Sequence, residues 1–376
     1  MKVLVVNAGS SSVKLRVLDA GGEIAHREDL AAEAGRTPPG ALPAALERAA
    51  AHGVDAVGHR VVHGGTEFTH PVLVDAAVVE RIERLGALAP LHQPPAVAGL
   101  RAAAAALPGV ASVACFDTAF HTTIPEAART YAIPSVWRQE HGVRRYGFHG
   151  LAHHWAARRA AALVGHPGSG LRVLVAHLGS GASACATVSG RSVDTTMGFT
   201  PTAGLVMATR SGDVDPSAIT WLATRAGLEP AAIDHALDHA SGLLALAGTA
   251  DMRAVLDAVA RGEFRATRAV EVWTHRARAQ LAAMAAATGG VDVLAFSGGV
   301  GENAPALRRG VVDGLGFLGL ALDPAADAVA VGGVEADVSA PGAAARTVVV
   351  HAREDVVIAE QVAAALAARE RGSGEQ

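Results

Sequence analysis

"VLVVNAGSSSVKLRVLD", residues 3–19, begins as an apolar strand, breaks at the six small or amide residues from Asn7 to Ser12, and resumes as an apolar run carrying Lys14. A two-residue turn is enough to reverse a hairpin, so the added hydroxyls of Ser10, Ser11 and Ser12 point to a ligand. The pattern returns at 173–189 as "VLVAHLGSGASACATVS", with Gly9 over Gly179 and Ser10 over Ser180. Each copy reads as strand, Gly/Ser turn, strand, second turn ("DAGGE", "VSGRS") and third strand. The chain is therefore read as a duplication whose halves differ in chemistry. Lys14 has no counterpart in the second copy, and His177 stands where the first has Asn7.

Helical patterns fill the intervals and make the fold class α/β. "DVDPSAITWLATRAG" offers Asp215 as N-cap, Pro216 at the first helical position and Gly227 as a stop. "THRARAQLAAMAAATGG" reads as a helix ending at Gly289, and "VDVLAFSGGVGENAPALRRG" as strand, glycine-rich turn and helix. "ARTVVVHAREDVVIAEQVAAALAARE" supplies a strand and a closing helix. A chain of 376 residues exceeds what one core serves, so two domains are expected. Half of the residues are apolar, 18% are charged and the net charge is −4, which disfavours nucleic acid as a partner. The apolar run before Asn7 is too short for a signal-peptide core and no stretch reads as a membrane span, so a cytoplasmic protein is expected. Cys115 and Cys185 lie within apolar stretches and read as buried thiols, with neither a disulfide nor a metal implied.

Successive backbone N–H groups in a Gly/Ser turn form an anion-binding concavity, to which serine hydroxyls and Lys14 add donors. This is no Walker A loop, because G-x-x-x-x-G-K is missing and a strand follows the turn. "GHRVVHGG" (58–65) puts Arg60 on a strand, and "GLVMATRSGDVDP" (204–216) puts Arg210 before the capped helix. Together they read as a two-armed clamp for an acid and a moving phosphoryl group. Asp117, at the exit of the strand in "ACFDTAFH", is read as binding Mg²⁺, orienting an arginine or capping the next turn. His149, between Phe148 and Gly150 in "RRYGFHG", is read as an imidazole that could donate a hydrogen bond to phosphoryl oxygens.

"NAGSSSVK", "GHRVVHGG", "LAPLHQPP", "FDTAFH", "RYGFHG", "HLGSG", "GFTPTAGLVMATRSGD", "SGLLALAGTADMR", "SGGVGEN" and "REDVVIA" resemble the acetate kinases in order and spacing over the whole chain. The resemblance implies the duplicated actin-like fold (RNase H-like, of the sugar kinase and Hsp70 type) with a central cleft. Its first domain would take residues 1–146 plus 355–376, and its nucleotide-binding domain residues 147–354. It implies reversible phosphoryl transfer between ATP and acetate, giving ADP and acetyl phosphate, with Mg²⁺ or alternatively Mn²⁺, in a homodimer. Asn7, Ser10, Ser12 and Lys14 then surround phosphates and metal, and Glu354 is a metal-linked carboxylate. Arg60 and Arg210 grip acetate and the transferring group, with Asp117 and His149 in the same site. His177 and the loop Gly179, Ser180 and Gly181 face nucleotide phosphates, Asp251 and Arg253 contact adenosine, and the base lies on Gly299 and Gly301. Val62, Leu91, Phe148 and Pro201 line the methyl pocket.

An ionised carboxylate is already nucleophilic, so the protein's task would be alignment and charge neutralisation, with no general base required. Three positions depart from the family pattern. Ser180 replaces the usual asparagine of H-L-G-N-G, and Ala203 and Ala208 stand where a glutamate and a glycine are common. Propionate is one methylene larger, which an apolar pocket discriminates by only about 1–3 kcal/mol, so a propionate kinase is an alternative. Two other classes compete. "GVGENA" (299–304) with Asp323 further on fits an NAD-dependent dehydrogenase, which leaves "NAGSSSVK" and its repeat unexplained. A non-enzymatic actin-like ATPase switch would keep the phosphate loops but has no use for paired arginines.

Overall fold

The computed structural model describes residues 1–9, 12–32, 37–90, 92–166 and 169–373. The chain divides into two compact units, one of residues 1–122, 148–155 and 353–376, the other of residues 123–147 and 156–352.

The first unit is built on β1 (Val3–Ala8), β2 (Ser12–Leu18), β3 (Ile24–Ala31), β4 (Ala56–Val61), β5 (Val72–Leu73) and β6 (Ala111–Phe116), in the order β3-β2-β1-β4-β6-β5. The second is built on β7 (Arg172–Leu178), β8 (Ala182–Val188), β9 (Arg191–Thr195), β10 (Val293–Ser297), β11 (Ala336–Asp337) and β12 (Arg346–Val349). Read from its own first three strands, its order is β9-β8-β7-β10-β12-β11, the same succession. The directions also repeat: β1–β2–β3 and β7–β8–β9 are antiparallel, β1–β4–β6 and β7–β10–β12 parallel, and each short edge strand antiparallel. This is the duplicated actin-like α/β architecture. Its antiparallel hairpins differ from the parallel sheet of a dinucleotide-binding dehydrogenase. Asp323, the residue a ribose would need, instead caps a helix by accepting from the Ala325 and Ala326 amides.

Burial explains the strand patterns. The central β1 is buried along nearly its whole length, as a strand covered on both faces must be, whereas the edge strand β3 alternates half-buried and exposed. Leu4 and Val6 join Leu15 and Val17 under the helices Ala41–Ala50 and Gln93–Ala106. Val3 and Val5, pointing the other way, meet Val357, Ile358 and Val362 of the helix Glu354–Ser373. That helix approaches β4 so closely that a Cβ on Gly58 would lie 2.5 Å from Ile358 Cγ2.

The helix over Pro216–Thr224 forms as expected, with Asp215 accepting from the Ser217 amide. Two expectations change. The helix ending at Gly289 begins at Phe264, because its buried stripe continues upstream through Trp273, Ala269 and Ala266. The glycine-rich turn after β10 is itself a short helix, Gly298–Asn303, in which Glu302 accepts from the Gly298 amide at 3.0 Å. Residues 123–147 lie within the second unit and residues 148–155 within the first. Arg145 Nη1 donates to the carbonyls of Thr195, Thr196 and Met197, and the Tyr146 amide to that of Gly198. Among the described residues, no helix is long and apolar enough to cross a membrane.

Candidate active site

In the first unit the parallel strands β1, β4 and β6 end side by side, and open α/β sheets bind ligands at such carboxyl ends. Asn7 is level with Arg60, Arg60 with Cys115, and Asp117 follows two residues later. Arg60 Nη2 donates to Asp117 Oδ2 at 2.7 Å, and its Nε lies 3.1 and 3.2 Å from the two carboxylate oxygens. Arg60 Nη1 donates to Asn7 Oδ1 at 3.1 Å and stands 4.0 Å from Glu354 Oε1. Asn7 Nδ2 in turn donates to Glu354 at 2.6 Å. Burial pulls the Arg60 guanidinium down, but the Asp117 and Glu354 charges more than reverse this, so it stays charged.

Asp117 is 1% exposed, and both its oxygens are engaged by Arg60. His149 has a φ of 56°, a left-handed conformation rare outside glycine. Its neighbour Gly150 leaves no room for a side chain, since a Cβ there would lie 2.0 Å from the Asp117 carbonyl oxygen. The first Gly/Ser turn closes by Gly9 N to Ser12 O at 2.9 Å, and Lys14, exposed on β2, is paired in register with Asn7. Val62 and Phe148 are buried. Ser10 and Leu91 lie outside the described residues.

The second unit repeats the frame with other side chains. His177 is level with Ser297, as Asn7 is with Arg60. Its turn closes by Gly179 N to Gly181 O at 3.0 Å and is one residue shorter, so Lys14 corresponds to the buried Ser183. The Ala208 amide donates to the Ser180 carbonyl at 3.0 Å, which ties the loop bearing Arg210 to this turn. Arg210 Nη1 donates to the Pro201 carbonyl at 3.3 Å, so these two predicted residues are neighbours. Asp251 caps the helix Met252–Ala260 and pairs with Arg253, whose side chain is 90% exposed. Gly299 and Gly301 share the helix Gly298–Asn303, and the space over Gly299 is open.

A family model described as the acetokinase family matches residues 42–360. The chain belongs to the acetokinase family. A protein named acetate kinase from Leifsonia xyli subsp. xyli is 44% identical over 97% of this chain and 99% of its own length. A Deinococcus deserti protein of the same name is 42% identical over 98% and 99%. A crystal structure of Porphyromonas gingivalis acetate kinase superposes with a TM-score of 0.89, at 36% identity over 97% of this chain and 99% of that one. A propionate kinase from Francisella tularensis gives 0.88 at 33% identity, covering 96% and 98%.

In this acetokinase-family chain, several supporting residues escape a sequence reading. Gln93 is buried and brackets His63, accepting from its amide at 3.3 Å and donating to its carbonyl at 3.0 Å. Thr118 Oγ1 accepts from the Gly64 amide at 3.0 Å. Both fix the loop that follows Arg60, and their only sequence signal is membership of "LAPLHQPP" and "FDTAFH". The carboxylate of Glu354 and the amide oxygen of Asn7 are hard donors of the kind Mg²⁺ accepts beside substrate phosphates. Among the described residues no group of three or more His, Cys, Asp or Glu side chains could hold a metal.

Proposed function

We propose that this chain is an acetate kinase, transferring a phosphoryl group between ATP and the carboxylate of acetate to give ADP and acetyl phosphate. The observation that carries the reading is Arg60, charged, part-buried and held by Asp117 at the ends of three parallel strands. A guanidinium so fixed can accept a small carboxylate through its remaining N–H groups and neutralise charge as the phosphoryl moves. Arg210 serves as the second arm, and His149 donates to a phosphoryl oxygen. The acetate carboxylate attacks in line, so no residue is assigned as general base. For the methyl group the first unit offers Val62 and Phe148, both buried.

For the phosphates of ATP or ADP the first unit offers Ser12 and Lys14; the second offers the loop His177, Gly179, Ser180 and Gly181, with Asp251 and Arg253 towards adenosine and Gly299 and Gly301 under the base. Asn7 and Glu354 would hold Mg²⁺, or Mn²⁺ in its place, which when bound neutralises the phosphate oxygens. A homodimer is supported by the helix Pro216–Thr224, "PSAITWLAT", which is largely apolar yet buries no residue and leaves Trp221 59% exposed.

Propionate is the second reading, favoured by the Francisella relative and by the small cost of one methylene. A hydroxamate assay with ATP, Mg²⁺ and either acid tests both. Acyl hydroxamate formed faster from acetate is expected; faster turnover of propionate selects the second reading, and none from either acid refutes both.

A further inference from the structure

We propose that His121 is a positioning residue that holds His149, an inference resting on the reading of His149 as a phosphoryl-binding group. His121 is buried, and its Nε2 lies 2.9 Å from the Phe148 carbonyl oxygen. A carbonyl oxygen only accepts, so Nε2 carries the proton and donates. That carbonyl belongs to the peptide plane whose nitrogen is His149 N. The hydrogen bond therefore fixes the plane directly before the φ of 56°. A non-glycine residue keeps such a conformation only where its surroundings over-determine it.

The same short segment also grips the other side of His149. A Cβ on Gly150 would fall 2.0 Å from the Asp117 carbonyl oxygen and 2.7 Å from Phe120 Cβ, so residues 117–120 pack directly on the following backbone. Phe120 stacks on His154 at 5.3 Å, and the His121 ring meets His153 edge-on at 5.8 Å. The His153 amide donates to the His149 carbonyl at 2.9 Å. "FDTAFH" thus presents Asp117 to Arg60 at one end and clamps the His149 backbone with the other.

The test compares His121→Phe, which keeps a ring but no donor, with His121→Gln, whose amide N–H reaches the position of Nε2. His121→Phe is expected to lower kcat at least tenfold with the ATP KM within twofold, and His121→Gln to restore kcat to within about threefold of the parent. Hydrogen exchange at the His149 and Gly150 amides should accelerate in His121→Phe and stay at the parent rate in His121→Gln. This readout holds even for a chain inactive on acetate and propionate, which separates failure of the inference from failure of the functional reading. A folded His121→Phe protein with parental kcat and exchange overturns the proposal. So does a His121→Gln protein that loses activity tenfold while its exchange is parental. Loss of folding in both variants overturns it in favour of a purely structural role.

Discussion

Removing one charge with Asp117→Asn is expected to lower kcat about a hundredfold and stability by about 2–3 kcal/mol. The carboxylate is 1% exposed and meets Arg60 through contacts of 2.7, 3.1 and 3.2 Å. Two unit charges about 4 Å apart attract by about 4 kcal/mol at an effective dielectric constant near 20. Relief of the desolvation cost of Asp117 offsets part of this, and the guanidinium keeps Asn7 at 3.1 Å and Glu354 at 4.0 Å. What is lost is orientation: an asparagine can accept from one N–H of the fork but cannot hold it bidentately. A hundredfold fall in kcat equals about 2.7 kcal/mol, which matches one misdirected charge-stabilising group. Steady-state kinetics with acetate, ATP and Mg²⁺ varied in turn, together with urea unfolding, measure each part. The acetate KM should rise while half-saturating Mg²⁺ moves less than threefold. A more than tenfold shift in the Mg²⁺ requirement with the acetate KM spared would show that Asp117 is a metal ligand and refute the reasoning.

Arg210→Ala should cost at least a hundredfold in turnover with an unchanged far-ultraviolet spectrum, and near-parental kcat would remove Arg210 from the clamp. Ser180→Asn should lower the ATP KM severalfold, about 1 kcal/mol for one gained hydrogen bond, without moving the acetate KM; the opposite pattern would put this loop against the acid. Trp221→Glu should yield monomers in sedimentation if the bare helix is the dimer contact, and an unchanged mass would place that contact elsewhere. Burial pushes His59 down to about 3 and His63 to about 4, from an ordinary value of 6.5. Between those values and 6.5 the unfolded chain binds more protons, so stability present near pH 7 is lost as pH falls, by about 1.4 kcal/mol per unit for each histidine. His59→Gln should flatten the slope of urea stability between pH 6 and pH 5, and an equal slope in variant and parent would count against it.

The duplication was legible because β1 and β7 are buried on both faces and so are written as nearly continuous apolar runs, each broken by a Gly/Ser turn. The strand order follows from that repeat. Turn length did not: the ungapped overlay puts Lys14 opposite Ala184, whereas the strand register puts it opposite Ser183, and only hydrogen bonding between strands reveals the missing residue. The helical state of "GGVGEN" was hidden for a related reason. Its glycines carry no helix propensity, and the segment is held instead by the Glu302 carboxylate on the Gly298 amide and by contact of Gly298 with the Leu178 backbone.

Site residues divide along the same line. Arg60 and Asp117 declare themselves as charges at the ends of apolar strands, where an uncompensated charge would be costly and a ligand or partner must be near. Gln93, Thr118 and His121 declare nothing, because each acts on a backbone group that is remote in sequence, and a carbonyl or amide leaves no mark on the residue that bears it. Asp117 and His121 are four residues apart in one short segment. The first is readable because its partner is a side chain, and the second is silent because its partner is the backbone of Phe148.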